Sequence, residues 1–196
     1  MTVPRLPRQI AFLMEVDKLK SVLRRTSLMD ASRPENSAEH SWHLVLTALV
    51  LRDHAPAEVD LFHVVEMLAV HDLVEIDAGD TFAYDADALA TKAERECLGA
   101  DRIFGLLPLE QAGHFRALWE EFEAQATPDS RFANALDRLQ PLLQNAGCGG
   151  GTWRTYSLTR EAVLARMDPV RADLPALWPT VLEVIDAFCA AGVLRD

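Results

Sequence analysis

The stretch that decides the fold is D60-LFHVVEMLAV-H71-D72. Apolar residues occupy most of positions 61–70, so they would cover most of the circumference of a helix, and Asp60 is a typical N-cap residue. We therefore predict a buried central helix that begins after Asp60. His71 and Asp72 follow at its end, where a purely structural helix would continue with apolar side chains.

The chain on both sides of this stretch is also predicted to be helical. Apolar residues recur at three- and four-residue steps, and no segment shows the alternation of a strand. We predict helices over about 8–24, 36–54, 86–104, 108–125, 127–147, from 159 and over 174–190, with loops at Asp77–Asp80 and Gly149–Gly151. Asn36 with Glu39, Thr127 with Pro128, and Thr159 provide N-terminal caps, and Gly147 is the predicted C′ residue. The expected architecture is an all-α, single-domain helical bundle of about seven or eight helices over residues 1–196.

Length and charge limit the classes of protein to consider. The 196 residues suit one domain, and 19 Lys+Arg against 30 Asp+Glu give a net charge of −11. Such an acidic chain is not expected to bind nucleic acid polymers or anionic membranes. Three cysteines are too few for a disulfide framework. Acidic residues come too early for a secretory signal and no long apolar run is present, so we expect a cytoplasmic protein.

His71 and Asp72 place two metal-ligand side chains next to each other at the end of an apolar helix. Burying an ionisable pair is costly unless a counter-charge offsets the cost, and a divalent cation would do so. Imidazole with carboxylate suits Zn, Mn, Fe or Co. The alternative is a capped helix end with a half-exposed histidine, because this dipeptide is common.

His40 and Asp137 are the candidate partners of this pair elsewhere in the chain. His40 lies on the first turn of its predicted helix, and Asp137 lies mid-helix with apolar neighbours on both sides. His43 falls on the same helix face as His40 and is an alternative ligand. Asp137 has the alternative of an exposed residue paired with Arg138 or Arg131.

Two further carboxylates follow the HD pair. If the helix continues, Glu75 lies one turn beyond His71 on a similar face, and Asp80 follows on a glycine-containing loop. A carboxylate beside a metal that does not bind it is placed to transfer protons. The alternative for Glu75 is a solvated acidic helix end.

Positive charge is concentrated before His40. Arginine binds phosphate through two parallel hydrogen bonds, so this segment could bind an anionic ligand. A solvated basic face is the alternative. The residues concerned are Lys18, Lys20, Arg24, Arg25 and Arg33.

Three segments together resemble the HD superfamily of metal-dependent phosphohydrolases, most closely its small bacterial 5′-deoxynucleotidase-like branch. They are 32-SRPENSAEHSW-42, 71-HDLVEIDAGDT-81 and 135-ALDRLQP-141. The order of the histidine, the HD pair and the later aspartate is far more specific than an HD dipeptide alone. The similarity extends over roughly residues 10–170, most of the chain.

The resemblance implies an all-α fold and a single divalent metal ion, with Mn, Co, Fe, Mg and Zn all open. The ligands that it implies are His40, His71, Asp72 and Asp137.

The resemblance also implies roles for residues around this ion. Glu75 and Asp80 would serve the proton transfers, and Arg25, 15 residues before His40, would contact phosphate. Arg33 is a further candidate phosphate contact, from its charge and proximity alone. The branch tends to carry tryptophan directly after its arginine, whereas this protein has Thr26, so a preference for deoxyribose is not implied.

We therefore expect a metal-dependent phosphomonoesterase whose substrate is a small phosphorylated compound, a nucleoside 5′-monophosphate. The alternatives are another HD activity (a phosphodiesterase or a guanosine-polyphosphate hydrolase) and a metal-stabilised regulatory or scaffolding module without turnover. The resemblance implies a homodimer. Trp119, Trp153 and Trp178 are candidate interface residues, with burial in the core as the alternative.

Overall fold

The computed structural model describes residues 4–195, which form twelve α-helices and one β-hairpin. Seven of these helices have ten residues or more, so the prediction of an all-α bundle is confirmed. The elements are α1 (Arg5–Val16), β1 (Leu23–Ser27), β2 (Pro34–Asn36), α2 (Ser37–Val50), α3 (Leu61–Val70), α4 (Glu75–Ala78), α5 (Ala86–Ala90), α6 (Lys92–Phe104), α7 (Leu109–Ala124), α8 (Pro128–Gly147), α9 (Gly151–Thr155), α10 (Arg160–Arg166), α11 (Asp168–Asp173) and α12 (Trp178–Ala190).

Helix α8 lies at the centre and packs against α2, α3, α7 and α11. It begins as predicted, with the Thr127 side chain accepting a hydrogen bond from the backbone of Ser130 and with Pro128 in the first turn. The prediction that Gly147 is the C′ residue is wrong, since it is the last residue of the helix. A Cβ at Gly147 would lie 2.9 Å from the side chain of Met29, so this glycine allows a close approach.

Helix α3 is buried against α2, α7 and α8, as the central stretch predicts. Asp60 caps it by accepting hydrogen bonds from the backbone of Phe62 and His63. Val64, Met67 and Leu68 are completely buried. The burial is incomplete along one edge, where Phe62 is exposed.

The segment before α2 differs most from the sequence prediction. The helix expected over about 8–24 ends at Val16 and continues as a 3₁₀ turn, Asp17–Ser21. Strands β1 and β2 then pair in antiparallel register, Leu23 opposite Asn36. The more buried residues of β1 are Arg24 and Thr26, so no apolar alternation marks the strand. Asn36 and Glu39 form the predicted capping box at the start of α2.

Other predicted boundaries also differ from the structure. The loop predicted at Asp77–Asp80 begins as helix, since α4 covers Glu75–Ala78, and the helix predicted over about 36–54 ends at Val50. The helix expected over 86–104 is broken at Thr91, where the Arg95 side chain donates to the Thr91 hydroxyl and the Ala88 carbonyl. Gly151 begins α9 and does not lie in a loop, although Gly149, Gly150 and Gly151 all have positive φ. The last predicted helix begins as a 3₁₀ turn, Pro175–Leu177, before α12.

Most tryptophans lie inside the bundle. Trp119 and Trp153 are buried, so packing in the core accounts for these two tryptophans. Trp178 is partly buried. Trp42, in contrast, is 67% exposed on α2. None of the helices within residues 4–195 combines the length and the hydropathy needed to span a bilayer.

Candidate metal centre and its two cavities

His40 is completely buried in the first turn of α2. Its Nδ1 lies 3.0 Å from Gln140 Oε1, and the Gln140 amide group is oriented because its Nε2 donates to Glu35 Oε1 at 2.9 Å. The amide oxygen can only accept, so His40 donates from Nδ1. In the neutral ring this places the lone pair on Nε2, the atom that would bind a cation, as in metal-bound histidines.

His71 and Asp72 follow directly after α3. The Nδ1 of His71 donates to the backbone carbonyl of Leu68 at 3.0 Å. Its Nε2 is buried and has no hydrogen-bond partner among the described residues. Asp72 Oδ1 lies 3.1 Å from this nitrogen without making a hydrogen bond to it. A buried nitrogen without a hydrogen bond is costly in a folded protein, and a bound cation would satisfy it.

Three of the predicted ligands form one compact group. His40, His71 and Asp72 each offer a ligand atom, and these atoms all lie within 4.8 Å of one another. Asp137 Oδ1 lies 2.9 Å from His40 Nε2, so the structure brings all four predicted ligands together. We call these four residues the HD cluster.

The electrostatics of the HD cluster favour a cation. Burial and Arg24 favour the neutral His40 ring, but the carboxylates of Asp137, Glu35 and Asp72 outweigh them and raise the pKa of His40 to about 9. Burial favours protonated Asp137, but Arg138 and the His40 ring outweigh it and hold the pKa of Asp137 well below its usual range. The cluster therefore attracts positive charge, and its nitrogen and oxygen donors suit a divalent transition metal.

Glu75 and Asp80 lie beside the HD cluster, as predicted. Ser37 Oγ donates to Glu75 Oε2 at 2.6 Å. Burial and the neighbouring Asp72 carboxylate raise the pKa of Glu75 well above its ordinary value, although Arg24 opposes them. Burial also raises the pKa of Asp80. Both acids are thus more easily protonated near neutral pH than exposed carboxyl groups.

The structure separates the three arginines of the basic segment. Arg24 reaches the centre, with Nη1 at 3.0 Å from Asp72 Oδ2 and 3.5 Å from Asp80 Oδ1. Arg25 is exposed and lines a cavity beside the cluster. Arg33 donates two hydrogen bonds to Glu39, at 2.9 and 2.6 Å, and lines a separate groove. The structure therefore does not bring Arg33 to the HD cluster.

Sequence reasoning gave no role at the cluster to four residues that contact it, although it named Arg138 as a possible partner of an exposed Asp137 and Arg24 as part of the basic segment. Arg138 donates to Asp137 Oδ2 at 2.6 Å, and Arg24, Glu35 and Gln140 make the contacts described above. A signal existed for Gln140, which is three residues after Asp137 and so shares its helix face. No signal existed for Glu35, whose strand was not predicted.

Two cavities meet at the HD cluster. The cluster cavity is lined by His71, Asp72, Glu75 and Asp137 among others. The adjoining cavity has a largely apolar and aromatic wall that includes Phe82, Tyr84, Leu142, Trp153 and Met167. Both cavities share Arg24, Asp80, Asp137, Arg138 and Arg166. The charged residues thus lie where the two cavities join.

A second group with metal-ligand side chains lies apart from these cavities. His63, Glu121 and Asp129 have ligand atoms within 4.8 Å of one another. His63 Nε2 is 2.8 Å from Glu121 Oε2, and Asp129 accepts a hydrogen bond from the Asp60 backbone at 2.8 Å. These contacts already satisfy the three side chains, unlike that of His71.

Comparisons with known proteins agree with this geometry. A family model described as HD domain matches residues 16–178. A crystal structure from Magnetospirillum magnetotacticum MS-1, described as a predicted metal-dependent phosphohydrolase, superposes with a TM-score of 0.92. It is 46% identical, and the match covers 98% of this chain and 99% of that one. A hypothetical protein from Pyrococcus furiosus has a TM-score of 0.61 at 20% identity, which shows a shared fold.

Curated relatives are more distant in sequence. The Homo sapiens 5′-deoxynucleotidase HDDC2 is 29% identical over 136 residues, which is 69% of this chain and 65% of that protein. This chain therefore matches slightly less than two thirds of the human relative's length. The Schizosaccharomyces pombe 5′-deoxynucleotidase hdd1 is 22% identical over 143 residues.

Proposed function

This chain belongs to the HD-domain family, and from that membership we propose that it is a metal-dependent phosphohydrolase that converts nucleoside 5′-monophosphates to nucleoside and phosphate. The observation that carries this proposal is the buried HD cluster, whose His71 Nε2 has no hydrogen-bond partner within residues 4–195. The 5′-deoxynucleotidase relatives support the choice of substrate.

In this proposal His40, His71, Asp72 and Asp137 hold one divalent ion. Such an ion, when bound, polarises a phosphoryl oxygen and lowers the pKa of bound water. The protein's own contribution is to hold both histidines as Nε2 donors, because each Nδ1 is committed to Gln140 or to the Leu68 carbonyl.

Glu75 and Asp80 carry the proton transfers. Burial and Asp72 raise the pKa of Glu75, so it takes up a proton more readily than an ordinary carboxyl group and is suited to give one to the leaving oxygen of the nucleoside. The hydrogen bond from Ser37 fixes the position of its carboxyl group. Asp80, at the junction of the two cavities, is the second proton-transfer group.

The two cavities suit the two parts of a nucleotide. The charged junction would bind the phosphate, with Arg25 at its edge, and the aromatic wall would contact the nucleoside. Thr26 lies in the wall of the adjoining cavity. Because Thr26 is smaller than the tryptophan found in the related branch, the site would accept both ribose and deoxyribose.

The test is a screen of the purified protein, loaded in turn with Mn, Co, Mg and Zn, against nucleotides and sugar phosphates. We expect phosphate release from nucleoside 5′-monophosphates with at least one metal. Matched pairs such as AMP and dAMP should give kcat/KM values of similar size. A strong deoxy preference would show that another residue crowds the sugar. No turnover of any monophosphate would favour the scaffolding alternative.

We also propose that the protein acts in the cytoplasm as a homodimer. An exposed apolar row on α2 supports the homodimer, since exposed apolar patches of this kind mark interaction surfaces. The row is spaced at three- and four-residue steps, so it occupies one face of the helix. We call Trp42, Leu46, Leu49 and Val50 the α2 row; all four are exposed.

A further inference from the structure

Arg166, the last residue of α10, lies outside every motif of the sequence and yet lines both cavities. It is partly buried. Within residues 4–195 its guanidinium group has no hydrogen bond and no ion pair with a carboxylate at 4.0 Å or less. Arg166 therefore lies beside the HD cluster without a direct ion-pair partner among the described residues, although the charge of Asp137 acts on it.

The other cationic side chains of the cluster cavity are all paired. Arg24 contacts Asp72 at 3.0 Å, and Arg138 contacts Asp137 at 2.6 Å. Lys92 contacts Glu96 at 2.6 Å and Glu123 at 3.1 Å. Among the described cationic side chains of the cluster cavity, Arg166 is the exception because it has no ion-pair partner.

The surroundings make the unpaired charge unfavourable. Burial and the neighbouring Arg138 guanidinium lower the pKa of Arg166 to about 10, while Asp137 acts in the opposite direction. The side chain nevertheless remains charged at neutral pH. A partly desolvated cation of this kind is stabilised by an anion that enters the same space.

The position of Arg166 indicates which part of a ligand it would meet. It lines both cavities, as Asp80 and Asp137 do, whereas Leu142 and Trp153 line only the adjoining cavity. The anionic part of a ligand would occupy the junction of the two cavities, and its apolar part would lie beyond. A phosphate at the cluster would also place oxygens close to Arg138.

We propose that Arg166 binds a non-bridging oxygen of the substrate's phosphate and, with Arg138, favours a phosphomonoester dianion over a diester. This inference rests on the proposed function, because it assumes that a phosphate occupies the HD cluster. It assigns a phosphate contact to α10, which follows the last of the three motifs in the sequence.

Binding of inorganic phosphate to the Mn²⁺-loaded protein, measured by titration calorimetry, tests the inference without nucleotide turnover. Charge-assisted hydrogen bonds from arginine predict that Arg166→Ala weakens phosphate binding about ten- to a hundred-fold. Arg166→Lys should restore part of the affinity, since it keeps the charge but not the planar fork. Arg131→Ala is the matched control: Arg131 pairs with Asp173 at 3.2 Å, outside both cavities, and its loss should leave phosphate binding unchanged.

Manganese content and thermal unfolding are measured for each variant. Arg166 is not a metal ligand, so Arg166→Ala should keep its manganese, and losing an unpaired cation should not lower its Tm. Unchanged phosphate affinity in Arg166→Ala would overturn the inference. So would loss of manganese from that variant, or a parent protein that binds no phosphate at millimolar concentration. Weakened phosphate binding in Arg166→Ala without any nucleotide hydrolysis would refute the proposed substrate and leave the phosphate contact standing.

Discussion

At the scale of single residues, His40 holds a proton in the place where we propose a metal. Carboxylates surround its ring and raise its pKa to about 9, although burial and Arg24 act against them. A metal ion bound at Nε2 must displace that proton, so metal binding and proton release are linked. The proton and the metal thus compete for one lone pair.

We therefore predict that the apparent affinity for Mn²⁺ rises with pH between about 6 and 9 and then levels off. A folded-state pKa of about 9 means that the ring is largely protonated until the upper end of this range, and one displaced proton gives about a tenfold change in affinity per pH unit. Calorimetry in two buffers of different ionisation enthalpy would count the released protons. Affinity that does not change between pH 6 and 8 would contradict the linkage.

The same shift predicts how the metal-free protein responds to pH. The stability that protonated His40 contributes is fully present below about pH 6.5, the unfolded value, and is lost as pH rises through about 9. Through this group, metal-free protein should therefore unfold more easily at pH 9 than at pH 6.5. Saturating Mn²⁺ should remove this dependence.

Glu75 gives a second prediction at the residue scale. Glu75→Gln keeps the shape of the side chain and can still accept the hydrogen bond from Ser37, but it cannot transfer a proton. We expect KM for a nucleoside monophosphate to change little and kcat to fall roughly 10²–10⁴-fold. Steady-state kinetics with the metal content measured in parallel would check this. A variant that retains full kcat would remove Glu75 from the mechanism.

At the scale of elements, α8 carries the proposed ligand Asp137 and also Gln140, which supports the proposed ligand His40. Asp137 and Gln140 lie on one face, one turn apart, and Gln140 connects His40 on α2 to Glu35 on β2. The hairpin, α2 and α8 thus meet at one amide group. Loss of that group would leave the His40 ring without its acceptor.

We predict that Gln140→Met lowers metal affinity about 10- to 100-fold, the usual effect of losing the partner that orients a histidine ligand. Gln144→Met is the matched control, because Gln144 is buried one turn later on the same helix and its Oε1 has no hydrogen-bond partner among the described residues. Metal titration of both variants gives the comparison. Equal affinities would show that Gln140 does not orient His40.

The elements also show what the sequence can and cannot reveal. Asp60, Asn36 and Thr127 mark helix starts correctly, because a cap is a local interaction between neighbouring residues. The hairpin left no such mark, because Arg24 and Glu35 face the HD cluster and not an apolar core. Contacts between distant segments, such as Gln140 with Glu35, have no local signature at all.

At the scale of the whole molecule, the HD cluster joins segments that are far apart in the sequence. His40 and Asp137 are separated by 97 positions. A metal that binds only the folded arrangement stabilises the entire fold, by about 2.7 kcal/mol when its concentration is 100 times Kd.

We expect Mn²⁺ at that concentration to raise Tm by roughly 5–10 °C, given the usual shift of about 2–4 °C per kcal/mol for this size. Asp137→Ala should lose most of the increase, whereas His43→Ala should keep it, because His43 contacts Gln140 and not the cluster. Scanning calorimetry with and without chelator provides the measurement. A full increase in Asp137→Ala would rule out the four-ligand arrangement.

The proposed homodimer is a further prediction at this scale. Trp42→Glu with Leu46→Glu places two charges in the α2 row and should give a monomer of about 22 kDa by light scattering, where the parent gives about 44 kDa. Leu109→Glu is the control, since Leu109 is highly exposed on α7, outside the row. A parent mass of about 22 kDa at micromolar concentration would refute the dimer.

The two cavities divide the protein into parts that can evolve at different rates. The proposed ligands of the HD cluster lie between His40 and Asp137, as do Phe82 and Tyr84 of the adjoining wall, whereas Leu142, Trp153 and Met167 of that wall follow them. Substitutions in this later part can reshape the pocket without touching a ligand. A duplicated gene could in this way drift from one phosphorylated metabolite to another while its hydrolytic chemistry stayed intact.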